Sequence, residues 1–351
     1  MTSRPSRRLR SGPNRYVARA QQWAKIWGLQ MIHSMKIFSD AISYSKLLPK
    51  IYSAVCVFLL MMLFTLRYLS SNILDRRHYP EFNGGSFLIR PNSKCDVSHP
   101  FLVILVCSAQ DEFKARSAIR QTWGGERMLH GKRVVVYFLL GYNQEHQEHL
   151  LEEGLLHKDI IQKEFSDTYY NLTTKVLMGL EWVNRYCPST SFVMKTDSDM
   201  FVNIYNLIEL LSQTSHRNIY TGYIWEHSRP MRDKSSKWYV SKQEYPLEWY
   251  PPFCSGTGYV LSTDIACCVW NISNSIPKLK LEDVFVGLCL AEMKIAPVKI
   301  NSSKTFHISK VQFSVCAYRK LVTSHKVKPY ELLIYWRALA DAGTEGCPGD
   351  L

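Results

Sequence analysis

Apolar residues run almost unbroken through 101–109 (FLVILVCSA), with no polar alternation and too few positions for an ordinary buried helix, so the run predicts a strand covered on both faces. A second run at 133–140 (RVVVYFLL) predicts another such strand, and shorter ones are predicted at 159–165 and 192–195. Between them the apolar spacing becomes helical, over 113–123, 169–186 and 204–211. Strands alternating with helices predict an α/β fold, a mostly parallel central sheet flanked by helices. From 220 to 262 the texture shifts to short aromatic segments, TGYIW, KWYVS and SGTGYVLS, which predict a mixed second half of short strands and loops forming a binding surface.

Ahead of this pattern lies a different one. Residues 51–66 are nearly all apolar and end at Arg67, whose long stem can snorkel, so a membrane span over 51–69 is predicted, at the short end of bilayer-crossing lengths. Residues 1–50 carry ten Lys or Arg against one acid, Asp40, so +9 of the formal net charge of +13 lies there and only +4 beyond it. Positive charge marks the cytosolic side, which places the tail in the cytosol and the rest of the chain in the lumen. A basic leader of this length also argues against a cleaved signal peptide. The tail abuts an apolar span and lacks an aromatic stacking platform, which argues against a nucleic-acid arm. The expected organisation is therefore a cytosolic tail (1–50), a signal-anchor (51–69), a polar Pro/Gly-bearing stem (70–97) and one lumenal domain (98–351).

Three N-x-Ser/Thr sequons, at Asn171, Asn271 and Asn301, fall on the lumenal side. Nine of the ten cysteines also lie beyond the span, which in an oxidising compartment implies disulfides and at least one free thiol. No CxxC pair is present, which argues against structural zinc, and Cys107 inside its apolar run reads as a core residue.

Candidate chemistry centres on KTDSDMFVN, residues 195–203, where a predicted strand runs into Asp197 and Asp199. Carboxylates at a strand end of an α/β sheet suit Mg²⁺ or Mn²⁺ holding a diphosphate; the alternative is a solvated turn capping the helix that starts near Asn203. The chain lacks GxxxxGK[ST], GxGxxG after the first strand, HExxH and GxSxG, which removes weight from P-loop ATPases, simple dinucleotide oxidoreductases, zincins and common hydrolases. A lumenal α/β domain with this carboxylate pair points to a sugar-nucleotide user.

Four blocks in order, RSAIRQTWG (116–124), KTDSDMFVN, YPPFCSGTGYVLS (250–262) and KLEDVFVGLCL (280–290), resemble the β-1,3-glycosyltransferases of the Golgi, across essentially the whole lumenal domain. The resemblance implies a GT-A fold, UDP-galactose as donor, Mn²⁺ as metal and inverting β-1,3 transfer to terminal N-acetylglucosamine of glycolipids or glycoproteins, in a single-pass type II protein of the Golgi membrane. Two alternatives stay open: transfer of N-acetylglucosamine or N-acetylgalactosamine, and a catalytically silent glycan-binding relative, against which the complete carboxylate pairs argue.

By that resemblance Asp199 ligates the metal, Asp197 reaches the metal or the donor ribose, and His325 is a third ligand whose imidazole suits Mn²⁺. Glu282 and Asp283 are the acids from which an inverting enzyme draws its base, with Asp283 favoured and Glu282 orienting the acceptor. They sit at a predicted helix N-terminus, where the dipole lowers carboxylate basicity, so burial must raise it again. Arg116 and Arg120, four apart on one helical face, and Lys195 are expected at the donor, with one arginine alternatively pairing with an acid such as Glu112. Trp123 reads as core. Trp249, Tyr250, Gly256 and Gly258 are expected at the acceptor, the rings as stacking faces and the glycines for close backbone approach. The expected disulfides are Cys254–Cys289 and Cys95–Cys187.

Overall fold

The computed structural model describes residues 86–91, 95, 99–300, 305–342 and 347, with seven isolated positions before them (28, 30, 31, 58, 59, 61 and 62). The chain divides into two compact units, Met1–Tyr79 and Pro80–Leu351. The predicted span, 51–69, and Asn301 lie outside the described residues, apart from helical Phe58, Leu59, Met61 and Met62. Among the described residues no helix is long and apolar enough to cross a membrane.

The second unit is built on a seven-stranded sheet. Its strands are β1 (Leu102–Cys107), β2 (Arg127–Leu129), β3 (Lys132–Tyr142), β4 (Ile160–Ser166), β5 (Phe192–Asp197), β7 (Tyr220–Trp225) and β8 (Phe253–Ser262). The order is β2-β3-β1-β5-β8-β7, with β4 also paired to β3. β1, β3, β4 and β5 are parallel, whereas β8 runs antiparallel to both β5 and β7, and β2 antiparallel to β3. The sheet is thus mixed, its parallel half coinciding with the strands predicted from continuous apolar runs.

β1 explains why such runs read continuously. All six residues are buried; Val103, Leu105 and Cys107 face one core and Leu102, Ile104 and Val106 the other. The first core is completed by α3 (Leu172–Tyr186), α5 (Thr263–Ile272) and α6 (Glu282–Glu292), the second by α1 (Phe113–Gln121), α4 (Ile204–Ser212) and α8 (Pro329–Asp341). Each fully buried aliphatic side chain contributes roughly 1.5–3 kcal/mol, so the sheet is fixed from both sides. Two further helices, α2 (Gln147–His157) and α7 (Val315–Lys320), and a small sheet of β6 (Phe201–Val202), β10 (Leu321–Ser324) and β9 (Thr305–Phe306) complete the unit.

Several elements differ from the sequence reading. The predicted helix over 169–186 opens as a 3-10 turn, Tyr169–Asn171, before α3 begins. KWYVS forms no strand: the loop 226–252 has one isolated bridge, Met231 to Tyr239, and its carbonyls are taken by Arg232, which donates to Val240 (2.7 Å), Tyr245 (2.8 Å) and Leu247 (3.0 Å). The β2–β3 hairpin turns through His130 and Gly131, both with positive φ, as a two-residue turn of matching twist requires.

The last residues of the expected stem belong to the folded body. Leu88 N–H donates to the Gln162 carbonyl (2.8 Å), and Phe87 meets Trp182 edge-on at 5.5 Å. Cys95–Cys187 fastens this segment, and a second disulfide joins Cys316 and Cys347. The expected Cys254–Cys289 bridge is absent. Both thiols are buried as small apolar side chains, Cys254 on β8 and Cys289 on α6, and burial pushes both above the usual thiol range. Cys95 and Cys187 lie 92 residues apart, so Cys95→Ser is expected to lower stability by about 4–5 kcal/mol in the loop-closure picture, read as a lowered urea midpoint with a steeper slope, because the unfolded chain released from the loop exposes more surface.

Candidate active site

The sheet sets the site. The chain leaves β1 toward β3 on one side and returns to β5 on the other, so the carboxyl ends of β1 and β5 meet at a topological switch point, with Cys107 in register with Asp197. The turn after β5 carries Ser198 and Asp199. Ser198 N–H donates to the Cys107 carbonyl (3.1 Å), and its hydroxyl to Glu112 (2.8 Å). Capping of α4 falls to Asn203, whose Oδ1 accepts from Asn206 N–H (3.2 Å), which leaves both aspartates clear of that duty.

His325 reaches this turn from far along the chain because β10 pairs antiparallel with β6, Ser324 opposite Phe201, and Val327 N–H donates to the Asp199 carbonyl (2.9 Å). His325 Nε2 lies 3.2 Å from Asp199 Oδ2, while Nδ1 donates to the Ile308 carbonyl at 2.9 Å. That second bond fixes the tautomer and turns Nε2 toward the carboxylate. The Asp199 hydrogen bond raises His325 above the ordinary histidine value. Lys326 follows with a left-handed backbone (φ 57°), a conformation costly for a lysine, held at the rim of the site.

Asp197 turns the other way. Lys195, buried on β5, donates to Asp197 Oδ1 (2.8 Å) and to the Gly256 carbonyl, and its ammonium lies 3.0 Å from Glu282 Oε1, off the line of a hydrogen bond. Glu282 Oε2 accepts from the Tyr259 hydroxyl (3.2 Å). Burial raises the Glu282 carboxyl from 4.5 to about 7 against the opposing pull of Lys195. Asp283 is also raised by burial, but its Oδ2 accepts from Gly256 N–H (3.0 Å) and its Oδ1 from Val284 N–H (2.9 Å), and it keeps a partly exposed edge on the cleft. Both acids begin α6 as the sequence predicts, and desolvation outweighs the helix dipole. Gly256 is required here: a Cβ on it would stand 2.9 Å from Glu282 Oε1 and 3.3 Å from Asp283 Oδ2.

One open cleft of about 670 Å³ takes in Lys195, Asp197, Tyr250, Gly256, Glu282, Asp283 and His325. Among the described residues no three His, Cys, Asp or Glu side chains converge on one point, and the expected triad appears as the pair Asp199 and His325, with Asp197 drawn to Lys195. That pair fits Mn²⁺, which accepts carboxylate and neutral imidazole and leaves remaining positions to phosphate and water.

A galactosyltransferase family model matches residues 114–301. The chain belongs to the galactosyltransferase family. It is 50% identical over 267 residues to mouse (Mus musculus) β-1,3-galactosyltransferase 5, covering 75% of this chain and 87% of that protein. The human (Homo sapiens) protein of the same name is also 50% identical over 267 residues, covering 75% and 86%. Human β-1,3-galactosyltransferase 2 is 45% identical over 268 residues, covering 74% of this chain and 64% of that protein. The solved apo structure of the WbbM bifunctional glycosyltransferase aligns at 12% identity and a TM-score of 0.37, over 75% of this chain and 51% of that one, a likeness too faint to carry an argument.

In this galactosyltransferase Arg116 and Arg120 stand outside the cleft, and their acid partners are Glu153 and Asp159 rather than Glu112. Arg116 is fully buried, bonded to Glu153 (2.9 and 2.7 Å), the Ser108 hydroxyl (3.0 Å) and the Ala109 and Gln110 carbonyls. Arg120 binds Asp159 through two nitrogens (2.8 and 2.9 Å). With every direction filled, they brace the β1–α1 turn. Trp123 is core, as expected, and its indole N–H donates to the Met200 carbonyl (3.1 Å), steadying the turn that holds Asp199.

The acceptor expectations divide similarly. Trp249 stays at the surface with its face covered by the Arg229 guanidinium at 4.0 Å. Gly258 packs behind β5 against Met194, Thr196 and Thr323 and does not line the cleft. The Tyr250 ring is wedged between Tyr245 and Phe253, so it offers no free stacking face. The exposed rings on the cleft are Tyr169, Trp225 and Trp238, which the sequence reading passed over, although TGYIW and KWYVS carried the signal for the two tryptophans. Lys326, beside His325, was overlooked likewise. Of the sequons, Asn271 is exposed, whereas Asn171 donates its side-chain amide to the Ser166 carbonyl (2.9 Å).

Proposed function

We propose that this galactosyltransferase moves galactose from UDP-galactose to the 3-hydroxyl of a terminal N-acetylglucosamine, with inversion, on a GT-A type fold. The observation that carries the reading is one cleft that takes in two chemically different groups: His325, 3.2 Å from Asp199, and Asp283, fixed by the Gly256 N–H at 3.0 Å. The names of the mouse and human relatives support galactose as the transferred sugar and the β-1,3 linkage.

Asp283 accepts the proton of the acceptor hydroxyl as that oxygen attacks the anomeric carbon from the face opposite the bond to phosphate; that bond breaks and UDP departs with its electron pair. Glu282, 3% exposed, sits in the floor of the cleft. With Lys195 and Tyr259 it fixes the start of α6 and hence the Asp283 carboxylate. Lys195 holds Asp197 in place at the donor. Mn²⁺ bound by Asp199 and His325 would supply the positive charge that stabilises the departing diphosphate. The basic tail and apolar run ahead of the domain support a type II Golgi membrane protein facing the lumen.

Full-length protein in detergent, given Mn²⁺, a β-N-acetylglucosamine acceptor and a panel of UDP-sugars, is expected to transfer galactose alone at an appreciable rate and to yield a β-1,3 product by linkage analysis. Asp199→Ala is expected to remove metal-dependent turnover and weaken Mn²⁺–UDP binding together. Transfer of another sugar, or turnover untouched by a chelator, would overturn the donor or the metal reading respectively.

A further inference from the structure

Five Lys and Arg side chains line the cleft, and two of them have carboxylate partners. Lys195 is neutralised by Asp197 and Glu282, Lys280 pairs with Glu244 at 3.4 Å, and Lys326 stands beside His325. Arg229 and Lys237 are different. Among the described residues neither has a carboxylate within ion-pair reach, and each lies over aromatic rings instead: Arg229 on Trp249 at 4.0 Å, Lys237 on Trp238 at 4.9 Å and Tyr169 at 5.5 Å. A ring holds a cation in place without spending its charge.

Their position is tied to the acceptor side. Tyr169 opens the turn ahead of α3, where the Thr173 hydroxyl donates to the Leu279 carbonyl (2.7 Å) and Lys280 lies over the Tyr170 ring at 5.5 Å, so Lys237 and its rings stand beside the segment that leads into Asp283. Ser228, next to Arg229, accepts from Tyr250 N–H, and the Tyr250 ring meets Phe253 on β8. The loop 226–252 that carries both cations is tied down by the three Arg232 bonds, by Tyr245 hydroxyl donating to the Trp249 carbonyl (2.8 Å) and by Tyr250 N–H donating to the Ser228 carbonyl (2.9 Å). The charges are therefore presented by an ordered support beside the segment that leads into Asp283. A neutral N-acetylglucosamine needs ring faces and hydrogen bonds, and has no use for two unpaired cations.

We propose that this part of the cleft is an anion subsite for the acceptor: Arg229 and Lys237 recognise a sulfate ester or a sugar carboxylate carried by the glycan next to its terminal N-acetylglucosamine. The inference rests on the reading of the cleft as that of a galactosyltransferase with its acceptor on the Asp283 side. It makes charged glycans better acceptors than neutral ones of the same sequence.

The test measures acceptor binding to the full-length enzyme loaded with Mn²⁺ and UDP, by calorimetry, for three glycans: neutral, 6-O-sulfated, and bearing a carboxylate sugar on the neighbouring residue. At least one anionic form is expected to bind about 3- to 10-fold more tightly than the neutral one at about 50 mM salt, the advantage collapsing near about 0.5 M. Which form gains identifies sulfate or carboxylate as the source. Arg229→Ala with Lys237→Ala, both at exposed positions, is expected to erase the advantage and leave the neutral glycan within about twofold. Equal binding of all three glycans would overturn the proposal, as would a double variant whose loss falls on Mn²⁺–UDP affinity, since the cations would then serve the donor. Because binding is read without turnover, an enzyme that keeps the charge preference yet moves no galactose would contradict the transfer reading and leave the subsite standing.

Discussion

Asp283→Asn is expected to cut galactose transfer by about 10²- to 10⁴-fold while Mn²⁺–UDP still binds within about threefold of wild type. Asparagine keeps one side-chain oxygen for the Gly256 N–H, 3.0 Å from Asp283 Oδ2, and gives up the bond from Val284 N–H to Oδ1, so a small loss of stability accompanies the lost capacity to take a proton. Because burial raises Asp283, the transfer rate is expected to rise with pH as the carboxylate ionises, with a midpoint above the ordinary aspartate value, and to flatten in the variant. Glu282→Gln serves as comparator: its side chain is buried between Lys195 and Tyr259, so its loss should be smaller in kcat and larger in thermal stability. A comparable fall in donor affinity in both variants would remove Asp283 from the role of base and leave a structural pair.

Lys195→Met is expected to cost about 3–5 kcal/mol of folding stability, roughly 6–20 °C in Tm for a domain of this size, and to abolish transfer as well. The substitution fills similar volume but leaves Asp197, Glu282 and the Gly256 carbonyl facing one another without a cation; in the wild type Lys195 bonds Asp197 at 2.8 Å and lies 3.0 Å from Glu282. The sign of the pH effect follows from Glu282. Its folded-state carboxyl is raised from 4.5 to about 7, so the folded chain holds a proton that the unfolded chain releases, and this group's contribution to stability falls as pH rises through that window. Removing the lysine pushes the carboxyl higher and extends the loss to higher pH. Glu282→Gln in the Lys195→Met background is expected to recover part of the lost stability, a coupling that a double-mutant cycle would read directly. Additive effects would mean that the lysine and the glutamate do not share the interaction assigned to them.

The residue pattern alone determined much of the fold and of the chemistry. β1, β3, β4 and β5 are legible because both faces are buried, which leaves apolar side chains at every position, and α1, α3 and α4 because each shows its core an apolar stripe. The aspartates after β5 and the acids opening α6 are legible for a local reason: a strand end and a helix start are marked by a few adjacent residues.

What the tertiary structure decided is everything that depends on long-range partners. His325 meets Asp199 only because β10 lies against β6, and a two-residue strand leaves no periodic trace in the chain. Lys195 reads as a donor-binding cation until the antiparallel entry of β8 sets Gly256 and Glu282 around it. Arg116 and Arg120 share a helical face, but which acid a buried arginine finds depends on the helix and strand that close over it, here α2 with Glu153 and the approach to β4 with Asp159. Burial likewise lies beyond a local pattern: the helix dipole at Glu282 and Asp283 can be read from the chain, whereas the desolvation that overrides it exists only once β8 and α6 are packed together.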